Sequence, residues 1–403
     1  MDCFTSFAMT DTCGHHCERS EAIRKKTETK PKNEYNKNQK MKKFLYQILT
    51  IFIALQANAQ EEKSLTIDAG ADLVSSYVWR GLYQTGVSIQ PSLSASIDGV
   101  TLNYCEGPHN GPPLLLIPGQ GCTWQEYSKA LPGLVNFYHI VIVDVPGHGK
   151  SAWNPELYNA VTITELMATF IEQQFGGPVL VAGHSSGGLV AGLLAARHPE
   201  LVSGVLFEDA PFFATEPDRV AKTFVGIDTF ANVPGFLSQK EESDWLKWYM
   251  PRSYWSRLFG PVWPLFTRVV LKQRNRNPGQ PPIVRWLPIN INRIWETQCN
   301  PFDLKFAQTF ADNSWFTGFD QAQTLNAIKC PTVFLKATTR FDRQGNLLAA
   351  LSEEDLNRIE SLLPNNETIR VKSSHDIHFA HPKTYQKAVN SLRLSVAAVG
   401  PTM

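Results

Sequence analysis

A serine set between glycines stands near the middle of the chain, in Gly183-His184-Ser185-Ser186-Gly187. The apolar run Val179-Leu180-Val181-Ala182 precedes it, and an apolar run through Arg197 follows. The first reads as a buried strand and the second as a helix. Between two such elements the turn is so sharp that flanking side chains would collide, which accounts for glycine on both sides. The turn lifts the Ser185 hydroxyl to the N-terminus of a helix. There free N–H groups and the helix dipole favour developing negative charge. A hydroxyl placed this way can attack an acyl carbon, but it is a poor nucleophile until a base takes its proton. The chain must therefore bring a base to the same place, and an acid to orient the base.

The elements that could do so alternate regularly after residue 100. A short strand over 100–104 leads through a Gly/Pro/Asn turn to Leu114-Leu115-Leu116-Ile117, apolar on both faces as a buried parallel strand requires. Next come the tight turn Pro118-Gly119-Gln120-Gly121 and a helix over 124–131. A second buried strand, 139–144, ends in Pro146-Gly147-His148-Gly149-Lys150-Ser151, and an amphipathic helix covers 162–175. The strand 179–182 then carries the serine turn. Such alternation predicts an α/β domain, a mostly parallel sheet with helices on both faces. A late strand over 368–372 is followed by His375, His378 and His381, with Pro382 opening a final helix.

Residues from about 99 to 395 resemble the α/β-hydrolase superfamily. The resemblance is carried by Pro118-Gly119-Gln120-Gly121, by 144–151, by Gly183 to Gly187 and by the His375 region. It implies an α/β-hydrolase fold with a helical lid inserted over the nucleophile. Ser185 would be the nucleophile and His375 the base, since the family places its histidine at such a strand end, shortly before a helix opening with Pro. His184 is read as a packing residue. The oxyanion donors would be the backbone N–H of Ser186 and that of Gln120, with Gly121 the alternative to Gln120. The fold's order of nucleophile, acid, histidine puts the acid before His375. Asp342, after the strand 332–335, is the first choice, although relatives usually carry the carboxylate a little earlier, near Arg340. Asp209, after the strand 204–207, is the second choice, with Asp355 behind it. The implied activity is hydrolysis of a carboxylic ester or related acyl bond through an acyl-enzyme. Thioester, lactone, peptide and carbon–carbon hydrolysis stay open, as does a non-catalytic ligand-binding role on the same fold. Serine at the turn argues against the aspartate-dependent dehalogenase and epoxide hydrolase branches.

The rest of the sequence sets limits. Lys plus Arg number 38 and Asp plus Glu 37, a balance that gives no case for nucleic acid. There is no phosphate or dinucleotide loop, so no cofactor is expected. Seven widely spaced cysteines do not form a disulfide framework, and Cys13-Gly14-His15-His16-Cys17 lacks a second ligand pair for zinc. The partner expected is a small apolar acyl substrate; no obligate protein partner is evident. Residues 1–40 are polar and basic, read as disordered or non-native. Residues 41–59 have the basic start, short apolar run and Ala57-Asn58-Ala59 end of a signal peptide. That segment would make the protein periplasmic or secreted if it acts as a signal, and cytoplasmic otherwise. Residues 60–98 are read as a short β segment: 61–98 alternate polar and apolar, and the stretch from Ala69 through Ser96 resembles the opening hairpin of a bacterial outer-membrane-type barrel, too few strands to close. The hydrolase halves are expected at 99–211 and 320–403, with the lid at 212–319. Seven of the ten tryptophans fall in that lid, most of them expected to form its own core.

Overall fold

Leu114 and Leu116 point into one buried cluster and Leu115 and Ile117 into another. A strand buried on both faces belongs at the centre of a covered sheet. In the computed structural model the described residues are 66–399, apart from 75–76, 80–81, 86–87 and 98. The strands are β1 Thr66–Val74, β2 Tyr77–Trp79, β3 Leu82–Thr85, β4 Ser88–Ile97, β5 Val100–Glu106, β6 Pro113–Ile117, β7 His139–Val143, β8 Val179–His184, β9 Val202–Glu208, β10 Thr332–Lys336 and β11 Asn366–Arg370. Nine of them form one sheet in the order β1-β4-β5-β7-β6-β8-β9-β10-β11, while β2 and β3 pair separately. From β7 to β11 every ladder is parallel. This is the α/β-hydrolase fold that the sequence predicts.

The helix Ala160–Phe175 starts at Asn159, whose side chain accepts from the Thr162 N–H at 2.8 Å, and stops at Gly176, which is left-handed. With Ser186–Arg197 it covers one face of the sheet, and Pro382–Val399 covers the other through Tyr385, Ala388, Val389 and Leu392. The helix expected over 124–131 is instead a 3₁₀ segment, Trp124–Lys129. The last strand lies about two residues earlier than the pattern suggested.

The expected boundary at residue 99 is not where the sheet begins. β4 pairs antiparallel with β5, Leu93 opposite Tyr104 and Ile97 opposite Val100, and β1 pairs along the whole of β4. Ala95 and Ile97 are buried in the main core. Strands β1 and β4 therefore extend the hydrolase sheet. The signal-like segment 41–59 and the Cys13–Cys17 cluster lie outside the described residues.

Between β9 and β10 the described residues are helices and turns, with no sheet strand. Trp263 and Trp295 fill a separate core with Leu246, Tyr249 and Phe266. Trp315 joins the main core and Trp286 is exposed.

Candidate active site

The parallel strands deliver their C-terminal ends to one edge, where α/β sheets hold their ligands. β6 runs into the loop at Pro118, β8 ends at Ser185, β9 at Asp209, and β11 leads to His375.

Ser185 has φ 54° and ψ −123°, a strained backbone for a residue with a side chain. Its N–H donates to the Glu208 carbonyl at 2.9 Å, and its carbonyl accepts from Gly188 N–H at 2.9 Å. A Cβ at Gly183 would stand 2.2 Å from the Gly187 carbonyl oxygen, and one at Gly187 would stand 2.2 Å from that of Ile117. The two glycines are thus demanded by backbone crowding around the turn.

In the loop after β6, Gly119 N–H donates to Glu126 Oε1 at 3.0 Å, Gly121 N–H to His148 Nε2 at 3.0 Å, and Cys122 N–H to the Gly119 carbonyl at 3.0 Å. The Gln120 N–H is the loop donor that these bonds leave over. Of the two loop amides expected as oxyanion donors, that of Gly121 is the one bonded within the protein, to His148.

His375 places Nδ1 at 2.8 Å from Asp209 Oδ2. An ionised carboxylate only accepts, so the proton of that bond sits on Nδ1 and leaves Nε2 as the basic nitrogen. Asp209 is buried, and its Oδ1 accepts from Ala337 N–H at 3.0 Å. That bond turns Oδ2 toward the histidine. The buried Lys336 ammonium lies 3.9 Å from Oδ1; burial lowers its pKa, and Asp209 offsets only part of that.

The first-choice acid, Asp342, is engaged elsewhere. Its Oδ1 accepts from the N–H groups of Gln344 and Asn346, both at 2.8 Å. Its Oδ2 takes the Asn346 amide at 2.8 Å and the Tyr254 hydroxyl. It shapes its own turn and ties that turn to the helical insertion. Asp355 closes a capping box with Ser352 and pairs with Arg219. Asp209 is the carboxylate the fold brings to His375.

Behind the serine lies a fully buried set of paired groups. His184 Nδ1 sits 3.2 Å from Glu126 Oε2, and its ring centroid is 4.5 Å from that of His375. Burial pushes the His184 pKa down, but the carboxylates of Glu126 and Glu208 outweigh it and raise it. His378 donates its N–H to Glu208 Oε1 at 2.7 Å, and its Nδ1 lies 2.9 Å from Oε2. His184, Glu208 and His378 come close enough to suggest metal ligands. Within that group Glu208 is hydrogen-bonded to His378, the His184 ring stands edge-on to the His378 ring at 4.9 Å, and Nε2 of each histidine is buried without a hydrogen-bond partner among the described residues. His184 and His378 are thus parts of the packing under the site, and nothing in the local sequence pattern marks Glu126, Glu208 or Lys336.

Ser185, Gln120, Ser186 and His375 all line one cavity of about 340 Å³. Its walls include Phe224, Phe230, Phe302, Phe310 and Ala350; among the described residues no lysine or arginine lines it, and Asp376 does. Its aromatic residues are phenylalanines; the tryptophans of the insertion lie elsewhere.

The profile of the alpha/beta hydrolase family matches residues 114–385. Lipase LipV of Mycobacterium tuberculosis is 32% identical over 138 residues, 34% of this chain and 49% of that protein. The pimeloyl-[acyl-carrier protein] methyl ester esterase of Sodalis glossinidius is 29% identical over 156 residues, 33% of this chain and 57% of the esterase. The chain thus spans about half the length of these curated relatives. Among solved structures, E-2-(acetamidomethylene)succinate hydrolase superposes with a TM-score of 0.52 at 18% identity, over 75% of this chain and 98% of the other, a likeness of fold. With the profile covering most of its length, the chain belongs to the alpha/beta hydrolase family.

Proposed function

We propose that this protein is a serine hydrolase that cleaves carboxylic esters of small, uncharged acyl groups, with Ser185, His375 and Asp209 as its triad. The observation that carries this reading is the 2.8 Å contact of His375 Nδ1 with Asp209, on a histidine that lines the cavity of the strained Ser185. Ser185 Oγ attacks the acyl carbon while His375 Nε2 takes its proton. The negative oxygen of the tetrahedral intermediate takes hydrogen bonds from the N–H groups of Gln120 and Ser186. Collapse breaks the carbon–oxygen bond, and His375 returns the proton to the departing alcohol. Water, deprotonated by the same histidine, then attacks the acyl-enzyme and frees the acid and Ser185. Asp209 keeps the proton on Nδ1 throughout and stabilises the imidazolium.

The cavity supports the substrate class. Its phenylalanine walls suit an apolar chain, and among the described residues no lysine or arginine lines it to hold a second carboxylate. At the ~30 Å³ each water occupies in the liquid, it holds on the order of ten non-hydrogen atoms. The helical insertion supplies Thr297, Gln298, Phe302 and Phe310 to the walls and acts as the lid. The two ester-cleaving relatives, a lipase and a methyl ester esterase, agree with this class. Turnover of p-nitrophenyl butyrate by wild type and its loss in folded Ser185→Ala test the reading. Undiminished turnover in the purified variant would overturn it.

A further inference from the structure

The Gln120 N–H can serve only if its peptide plane is aimed at the reacting carbon, and the bonds around it show what aims it. In a trans peptide the C=O and the N–H of one plane point in opposite directions. The plane that carries the Gln120 N–H also carries the Gly119 carbonyl, which accepts from Cys122 N–H. The plane that carries the Cys122 N–H also carries the Gly121 carbonyl. That carbonyl accepts from Asn300 Nδ2 at 2.6 Å. Between them, the Gln120–Gly121 plane is fixed by His148, which accepts from Gly121 N–H. Gly121 itself stands at φ 72°, a conformation open to glycine.

Asn300 belongs to the insertion, in a stretch whose neighbours Thr297, Gln298 and Phe302 line the cavity. The same stretch is strapped to the turn that holds His148. Gly149 N–H donates to the Pro301 carbonyl at 2.9 Å, Asp303 N–H to the Gly147 carbonyl at 2.9 Å, and the Phe302 ring lies 4.7 Å from that of His148.

We propose that Asn300 is a positioning residue that couples the helical insertion to the oxyanion hole: its carboxamide locks the Gly121–Cys122 peptide, and through it directs the Gln120 N–H into the cavity. The inference rests on the serine hydrolase reading. It gives the insertion a second task besides walling the cavity. The stretch that walls the cavity thus also holds the loop that carries the oxyanion donor.

The test replaces Asn300 by Asp, which keeps shape and removes the donor, and by Gln, which keeps the donor on a longer stem. Wild type is first shown to be labelled at Ser185 by a fluorophosphonate and to hydrolyse p-nitrophenyl butyrate; failure there would sink the hydrolase reading itself. Loss of a true oxyanion donor costs on the order of 10²–10³-fold, so loss of its aim in Asn300→Asp should lower kcat by about 10- to 100-fold with KM within about twofold. Affinity for a trifluoromethyl ketone, which forms a hemiketal oxyanion on the serine, should fall by the same factor. Asn300→Gln should recover part of both. Asn300→Asp with kcat and ketone affinity within twofold of wild type would overturn the proposal. So would a loss confined to KM, or one that Asn300→Gln does not relieve.

Discussion

Asp209 and His375 are 166 positions apart in sequence and meet at 2.8 Å, Oδ2 to Nδ1. The contact follows from strand order. β9 lies between β8 and β10, so the residue after β9 emerges beside the serine turn, and the loop after β11 folds back over it. Asp209 takes φ 44°, and its N–H donates to the Leu335 carbonyl at 2.8 Å. Backbone bonds to β10 hold it in that conformation and leave one carboxylate oxygen for the histidine.

Replacing Asp209 by Asn should therefore lower kcat on the order of 10⁴-fold, because the histidine would lose the partner that fixes its tautomer. Asp342→Asn should change kcat by no more than a few-fold, since Asp342 bonds its own turn and Tyr254. Steady-state kinetics on one ester decide the matter, and the reverse ranking would return the acid to the β10 end.

Gly187→Ala should unfold the protein more readily while leaving the triad's residue types untouched. The added methyl meets the Ile117 carbonyl oxygen at 2.2 Å and the Pro118 carbonyl oxygen at 2.5 Å, both of them backbone. Overpacking of this kind costs about 1–3 kcal/mol or more. A melting temperature equal to that of wild type would show that the turn can relax, and that crowding does not fix the glycine.

Stability should carry a signature of His148 on the acid side. Burial pushes its pKa down to about 4, against the pull of hydrogen bonds to Pro146 and Val145 and the carboxylates of Glu126 and Asp303. Unfolded histidine titrates near 6.5. As the pH falls from about 6.5 to about 4, the unfolded chain gains a proton that the folded chain refuses. The stability present above that window is then lost, on the order of 3 kcal/mol in all. Asp144, which burial pushes up to about 7, titrates with the opposite sign over an overlapping range. The readout is therefore the difference between wild type and His148→Gln. That gap in unfolding free energy should shrink steadily from pH 7 to pH 4.5, and a constant gap would contradict the neutral, buried histidine.

Removing everything before Gly99 should damage the hydrolase. The cut deletes Ala95 and Ile97 from the core and leaves β5 as an open edge. Compared with a chain beginning at Lys63, the shorter one should melt lower or aggregate, as size-exclusion chromatography and thermal denaturation would show. Equal stability would mean that β1 and β4 contribute nothing to the sheet.

Local crowding and local pattern were legible in the sequence. The glycines around Ser185 and the two-faced apolar strands β6, β7 and β8 announce themselves within a few residues. The sequence ranks Asp342 above Asp209, whereas the structure brings Asp209 to His375; each follows a strand, and which carboxylate the Ala337 amide turns toward the histidine is not written in local pattern. Lys336 hides in a strand whose other residues are apolar or β-branched. His148 and Asn300 act through backbone groups 27 and 179 positions away, which no periodicity records. Strands β1 and β4 read as a barrel hairpin because an alternating antiparallel strand looks alike at the edge of a barrel and at the edge of a covered sheet.

The central claim is that Ser185 is an activated nucleophile, and covalent capture tests it without knowledge of the substrate. The protein would be treated with a fluorophosphonate near neutral pH, weighed intact, digested and mapped by mass spectrometry. A single adduct on the peptide carrying Ser185, much slower in Asp209→Asn and absent from Ser185→Ala, is the result expected. An adduct on another residue, or none on Ser185 in folded wild-type protein, would contradict the account.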